Sequence, residues 1–325
     1  MLDQYGRNID YMRISVTDRC NLRCRYCMPH GVKLCDMADL LTFEEIALCA
    51  QTAAQLGIRH IKLTGGEPLI RRGLDGLVRM LKAADGIEQV TLTTNGTMFE
   101  KHLDKLVSAG LDAVNISLDT MDRRAYEEMT GTDAHESVLS AIKAAVRAGL
   151  RTKVNAVCLP RSREEILALI DLAKADPVDV RFIEMMPIGY GKEYTGISNT
   201  ELLSQLQEMY PGLASDPAPH GFGPAIYFKI PGYIGSVGLI SAIHGKFCSS
   251  CNRVRLTSKG FLKPCLCYDT GTDLRQILRS EQPSEEREKK LLETMRTMIF
   301  EKPKAHCFEN EKDITEESLM SAFGG

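Results

Sequence analysis

The sequence predicts an α/β fold, an open, partial TIM-type (β/α)6 barrel with a C-terminal extension that closes the barrel mouth. Three observations carry the prediction. Six short apolar runs alternate with helical patterns between residues 10 and 190, the pattern of a parallel sheet built from strand–helix units. Six units fall short of the eight that close a TIM barrel. Beyond residue 190 the rhythm stops and prolines and glycines take over.

In order, the strand candidates are 12–16, 61–64, 90–93, 113–117, 153–157 and 180–184. Thr42 with Glu45 makes a capping box ahead of Ile46, Leu48 and Cys49. Leu74, Leu77, Val78 and Leu81 repeat at helical spacing, as do Leu103, Leu106 and Val107, and the stretches 138–146 and 166–173 continue the pattern. Pro211, Gly212, Pro217, Pro219, Gly221, Gly223 and Pro224 mark loops. Residues 225–230 and 236–240 read as strands, and 285–298 as a surface helix. The chain therefore divides at 1–190, the barrel, and 191–325, an added layer. In parallel α/β folds chemistry gathers at the carboxyl ends of strands. Cys20, Gly65, Thr94, Ser117, Asn155 and Met186 all stand at or near those ends.

With 44% hydrophobic and 26% charged residues the chain can bury a large core. A net charge of −3 argues against a nucleic-acid or membrane surface, so any polyanion must be held by a local cluster of Lys and Arg. Residues 1–7 are polar and no apolar run reaches the ~20 residues of a membrane helix. Eleven cysteines then point to a reducing, cytoplasmic setting and to metal ligation over disulfides.

The cysteines concentrate in two places. Cys20, Cys24 and Cys27 share one short loop with CxxxCxxC spacing. Three thiolates can hold three irons of a [4Fe–4S] cube, which ordinarily takes four cysteines. The missing fourth leaves one iron open to a substrate or cofactor. The alternative is a zinc knuckle, although zinc ribbons usually pair CxxC with a second CxxC. In the second group Cys248 and Cys251 are followed by Cys265 and Cys267. That spacing suits a zinc ribbon, closed if Cys267 joins, as well as a second cluster with an open iron on Cys248, Cys251 and Cys265. Arg253 and Arg255 favour the cluster: a structural zinc has no need of cations, whereas alternate residues on a strand share a face and can clamp a phosphate.

The CxxxCxxC loop with Tyr26 before its last cysteine resembles the radical S-adenosylmethionine (SAM) superfamily, where the open iron chelates SAM. RISVTDRCN at 13–21, LTGGEPL at 63–69, FCSSCNRVRLT at 247–257 and the terminal Gly324 and Gly325 together resemble the GTP 3',8-cyclase (MoaA) family of molybdenum cofactor biosynthesis, over essentially the whole chain. The resemblance implies two [4Fe–4S] clusters and SAM as cofactors, with Cys20, Cys24 and Cys27 on the first cluster and Cys248, Cys251 and Cys265 on the second. It implies SAM contacts at Tyr26, Gly66, Ser117 and Met186. A Gly-Gly pair at a strand end also lets the backbone approach a ligand. It implies GTP contacts at Arg13, Thr93, Lys153, Arg253, Val254 and Arg255, with Lys62 and Arg181 as further candidates on strands pointing to the same mouth. Lys62 departs from the Arg expected there, keeping charge but losing bidentate geometry.

The implied reaction converts GTP to (8S)-3',8-cyclo-7,8-dihydroguanosine 5'-triphosphate. The implied partners are GTP, a reductant such as flavodoxin or ferredoxin and a cyclic pyranopterin monophosphate synthase that takes the product; a homodimer is compatible. A tail like Gly324 and Gly325 reaches the active site in that family. Cys267 is expected to be a spectator, and Cys35, Cys49, Cys158 and Cys307 to be buried free thiols. Two alternatives stay open: a peptide-modifying radical SAM enzyme with an auxiliary cluster, and a non-catalytic zinc-binding protein.

Overall fold

The computed structural model describes residues 1–31 and 35–323. One twelve-stranded sheet organises the chain. Its strands are β1 (Tyr11–Ser15), β2 (His60–Thr64), β3 (Gln89–Thr94), β4 (Ala113–Ser117), β5 (Arg151–Val157), β6 (Val178–Ile183), β7 (Ala214–Ser215), β8 (Ile226–Lys229), β9 (Val237–Ile240), β10 (Arg253–Leu256), β11 (Phe261–Lys263) and β12 (Thr272–Asp273). The order across the sheet is β12-β11-β10-β1-β2-β3-β4-β5-β6-β9-β8-β7. Strands β10 and β1 through β6, then β9, run parallel, while β11–β12 and β8–β7 turn back antiparallel at the two ends. The order is linear, so the barrel is open.

Helices α1 (Phe43–Gln55), α2 (Leu74–Lys82), α3 (Phe99–Ser108), α4 (Arg123–Thr130), α5 (His135–Arg147), α6 (Arg163–Ile170), α7 (Leu172–Ala175), α8 (Asn199–Met209), α9 (Arg275–Leu278), α10 (Ser284–Phe300) and α11 (Met320–Phe323) complete the chain. Thr42 and Glu45 form the expected capping box at α1, and Ser162 with Glu165 forms a second at α6. The stretch read as one helix over 166–173 is two, α6 and α7, because Asp171 caps the first and opens the second.

Strand alternation creates two faces. Met12 and Ile14, Ile61 and Leu63, Val90 and Leu92, Val114 and Ile116, Val154 and Ala156, and Val180 and Phe182 are buried in a single core with the helices. Burial of each Ile or Leu contributes ~1.5–3 kcal/mol. The intervening residues, Arg13, Lys62, Thr91, Asn115, Lys153 and Arg181, face the barrel interior. Interiors of TIM barrels are filled by branched apolar side chains; this one is lined with cations.

The C-terminal third does not form a layer of its own. Its strands extend both edges of the sheet: β9, β8 and β7 beyond β6, and β10, β11 and β12 beyond β1. Unpaired edges of a buried sheet expose ladder hydrogen bonds, and the short C-terminal strands satisfy them. Placing β10 beside β1 also brings Arg255 into register with Arg13, and Arg13 with Lys62.

Candidate active site

Three cavities meet inside the barrel. The first is lined by Cys20, Cys24 and Cys27, with Tyr26, Gly65, Gly66, Thr94, Asn95, Ser117, Asp119, Asn155 and Met186. All six strand-end residues picked from the sequence line it. The second is lined by Arg13, Lys62, Arg151, Lys153, Arg181, Arg253 and Arg255, with Thr93 and no carboxylate among its lining residues. The third is lined by Cys248, Cys251 and Cys265 with Arg253, Arg255 and Lys302. Met186 lines all three, so the cavities adjoin one another there.

The cysteine loop after β1 is held by backbone. Gly66 N donates to Thr17 O (2.8 Å) and Glu67 N to Arg19 O (2.7 Å). A Cβ at Gly66 would stand 2.3 Å from the Arg19 carbonyl oxygen, and one at Gly65 2.7 Å from Thr17 O. The backbone that requires both glycines is therefore the cysteine loop itself, with a ligand approaching from the cavity side. Glu67 is fully buried, and its carboxylate accepts from Thr94 Oγ1 (2.7 Å), Asn95 N (2.7 Å) and Leu69 N (3.0 Å). Burial pushes its pKa up to about 7 against those hydrogen bonds. Glu67 thus fixes Asn95, whose amide reaches Asn21 Oδ1 at 2.9 Å. Tyr26 donates to Asp119 Oδ2 (2.7 Å), and Asp119 also accepts from Val157 N (2.7 Å). Glu67 and Asp119 escaped the sequence reading, although Asp119 lies two residues past a strand-end serine already singled out.

Burial pushes the Cys27 thiol up to about 12, with Cys20 adding to it, and raises Cys24 well above the ordinary thiol value. Cys251 differs: burial alone would raise it, but Lys302 and Arg253 draw it down to about 7. Both sets fit iron. Thiolates at the first site form when metal displaces their protons, and at the second the Cys251 thiolate is also stabilised by cations. Cys267 is fully buried and lines none of the three cavities; its Sγ lies 3.2 Å from Cys307 Sγ. Cys49 and Cys158 are buried, as expected, whereas Cys35 and Cys307 are only partly so.

The cations face one another across the sheet. Lys62 is pushed well below the ordinary lysine range by burial and then by Arg181, Arg13 and Lys153. Burial and Arg181 bring Lys153 down to about 7, and burial with Arg253 and Arg181 brings Arg13 to about 10 against the pull of Tyr11. The Asn115 amide oxygen, in the orientation that satisfies its surroundings, accepts from Lys62 Nζ (2.5 Å) and Arg181 Nη2 (2.8 Å). Asn155 Oδ1 accepts from Arg181 Nη2 at 2.6 Å. Such crowding of like charge in low dielectric is relieved by a polyanion.

Val254 is placed differently from its two neighbours. Its side chain is fully buried in the apolar core on the opposite face of β10, because alternation sends Arg253 and Arg255 into the cavity and Val254 away from it. Met320 and Ser321 were also not anticipated. The C-terminal segment, anchored by the buried Lys263–Glu316 ion pair, places Met320 and Ser321 in the first cavity. Gly324 and Gly325 lie outside the described residues.

Comparison with known proteins adds a family to this geometry. The radical SAM superfamily profile matches residues 14–173, and that of Molybdenum Cofactor Synthesis C matches 178–308. The GTP 3',8-cyclase of Clostridium perfringens (strain 13 / Type A) is 39% identical over the full length of both chains, and that of Moorella thermoacetica 42% identical over the same extent. This chain belongs to the GTP 3',8-cyclase family. Among solved structures, Streptococcus suis SuiB bound to S-adenosylmethionine aligns with a TM-score of 0.66 at 14% identity, over 96% of this chain and 76% of that one. Methylornithine synthase aligns with a TM-score of 0.51 at 21% identity over 64% of each chain. At those identities they share the fold. In this GTP 3',8-cyclase family member both matched regions build the site: Cys20 comes from the first, Met186 and Arg253 from the second. No helix among the described residues is long and apolar enough to cross a membrane.

Proposed function

We propose that this protein is a GTP 3',8-cyclase, converting GTP to (8S)-3',8-cyclo-7,8-dihydroguanosine 5'-triphosphate in the first step of molybdenum cofactor biosynthesis. The observation that carries the reading is a set of three adjoining cavities, a cysteine triad in each outer one and buried cations without lining carboxylates in the one that shares walls with both. Residues 1–190 serve as the radical-generating unit and 191–325 as the unit that completes the substrate site. Cys20, Cys24 and Cys27 hold the first [4Fe–4S] cluster, and Cys248, Cys251 and Cys265 the second. Bound there, the first cluster and SAM would supply the radical chemistry that the cyclisation of GTP requires.

The chain's own residues bind, orient and exclude water. Tyr26, Gly66, Ser117 and Met186 line the SAM end, and the Tyr26 hydroxyl is aimed by Asp119. Arg13, Lys62, Lys153 and Arg181 neutralise the triphosphate, with Thr93 at the junction. Arg253 and Arg255 stand between the triphosphate and the second cluster, where they hold the guanine end. Apolar Met186 and Met320 at the junction keep water from the reacting centre. The reading includes a cytoplasmic location, a flavodoxin- or ferredoxin-type reductant, hand-over to a cyclic pyranopterin monophosphate synthase, and compatibility with a homodimer.

Anaerobically reconstituted protein incubated with SAM, dithionite and GTP should yield the cyclised nucleotide by mass spectrometry. Cys24→Ala should yield neither this product nor 5'-deoxyadenosine. Formation of 5'-deoxyadenosine by the variant would overturn the open-cluster assignment.

A further inference from the structure

The segment from His220 to Gly223 lies between β7 and β8 and lines the cationic cavity together with Tyr11, Gln89 and Arg151. Those three residues stand at or before the amino ends of their strands, opposite to the end that carries Cys20. The segment is the floor of the barrel. Its placement is fixed by side chains outside the cavity: His220 Nδ1 lies 2.9 Å from Asp179 Oδ2 and Nε2 3.1 Å from Asp216 Oδ2, and the ring stacks on Tyr227 with centroids 3.8 Å apart. Asp216 is itself held by Ser236 Oγ at 2.6 Å. On the cavity side, Lys153 Nζ donates to the His220 carbonyl and to the Tyr227 hydroxyl. Phe222 stacks on His60 at 3.4 Å.

Between these anchors the backbone is open. Gly221 has φ +114°, and a Cβ there would meet Lys153 Nζ at 3.6 Å, while one on Gly223 would meet Arg181 Nη1 at 3.9 Å. None of the N–H groups of Gly221, Phe222 and Gly223 donates to another group among the described residues. Successive unpaired N–H groups beside cations form an anion cradle.

Resting on the GTP reading above, we propose that this loop is the end-stop of the phosphate site. Its backbone N–H groups receive the terminal phosphoryl group of a nucleoside triphosphate beside Lys153 and Arg181. His220, wedged between Asp179 and Asp216, is the positioning residue that sets how many phosphates the site requires.

Titration calorimetry with GTP, GDP, ATP and inorganic tripolyphosphate tests this on the full-length reconstituted protein. The wild type should bind GTP at least ~10-fold more tightly than GDP, and should bind tripolyphosphate. Charge-assisted hydrogen bonds are strong enough that His220→Ala should weaken GTP and tripolyphosphate roughly 10- to 100-fold while leaving GDP affinity in place, collapsing the ratio. His220→Gln, which retains polar atoms on the ring's positions, should restore part of it. Gly221→Ala, which forces a side chain onto left-handed backbone, should repeat the loss. An unchanged GTP-to-GDP ratio in His220→Ala, or an equal loss for both nucleotides, overturns the end-stop and leaves the GTP assignment standing. A wild type that binds tripolyphosphate but binds GTP no better than ATP overturns the guanine assignment and leaves the loop standing.

Discussion

Raising the pH from 7 to 8 should weaken GTP binding about five-fold, and most of the effect should trace to one ammonium group. Burial and the neighbouring Arg181 bring Lys153 to about 7 in the free protein, against an ordinary 10.5. A bound triphosphate favours the charged form and returns the group toward its ordinary value. Binding therefore takes up a proton between about pH 7 and the ordinary lysine range. The sign follows from the cation's lowered value. The unfolded chain keeps this proton to about 10.5 and the folded, free protein loses it near 7, so the free fold gains stability as pH rises through that window. The protection conferred by GTP declines over the same window. The charged fraction of Lys153 falls from about one half at pH 7 to about one eleventh at pH 8, hence the five-fold change. The terminal phosphate is already ionised there, its second pKa being near 6. Calorimetry at constant ionic strength, in buffers of different ionisation enthalpy, reads both affinity and proton uptake. Lys153→Arg keeps its charge through pH 8 and should flatten the slope by one proton. A wild-type Kd that stays constant from pH 7 to 9, or an equally steep Lys153→Arg variant, would refute the reasoning.

Three further outcomes are expected. Gly66→Ala drives a Cβ to 2.3 Å from the Arg19 carbonyl, so the first cysteine loop must move; iron per chain should drop from about eight to about four, with full iron retention as the contrary result. Replacing Arg253 and Arg255 together by Ala removes two charge-assisted donors at ~1.5–3 kcal/mol each, a Kd increase of at least about 100-fold by calorimetry, and unchanged affinity would take them out of the site. Cys267→Ser should keep about eight irons per chain, because its sulfur faces Cys307 rather than the cavity; a loss of about four would make it a ligand.

Much of the site was legible because strand ends announce themselves. The alternation of apolar runs located all six barrel strands to within two residues, and the rule that parallel sheets work at their carboxyl ends then selected Cys20, Gly65, Thr94, Ser117, Asn155 and Met186. Short edge strands were not legible: β7, β11 and β12 are two or three residues long and carry no period to detect. Nor were α4, α8 and α9, the first and last of which are eight and four residues long.

By itself the sequence determined the thiol spacing, the strand-and-helix order and which side chains on β1 and β10 share a face, because these depend on neighbours a few residues apart. Only the tertiary structure decided that β10 docks beside β1, setting Arg255 in register with Arg13 and Lys62, and that Val254 turns to the core. It alone showed that Gly66 accommodates the Arg19 carbonyl, that Glu67 and Asp119 fix the cysteine loop, and that Cys267 meets Cys307 across 40 residues. The reason is physical. Local spacing fixes which residues point the same way, but which buried charges become neighbours depends on strand order, and strand order is a long-range choice.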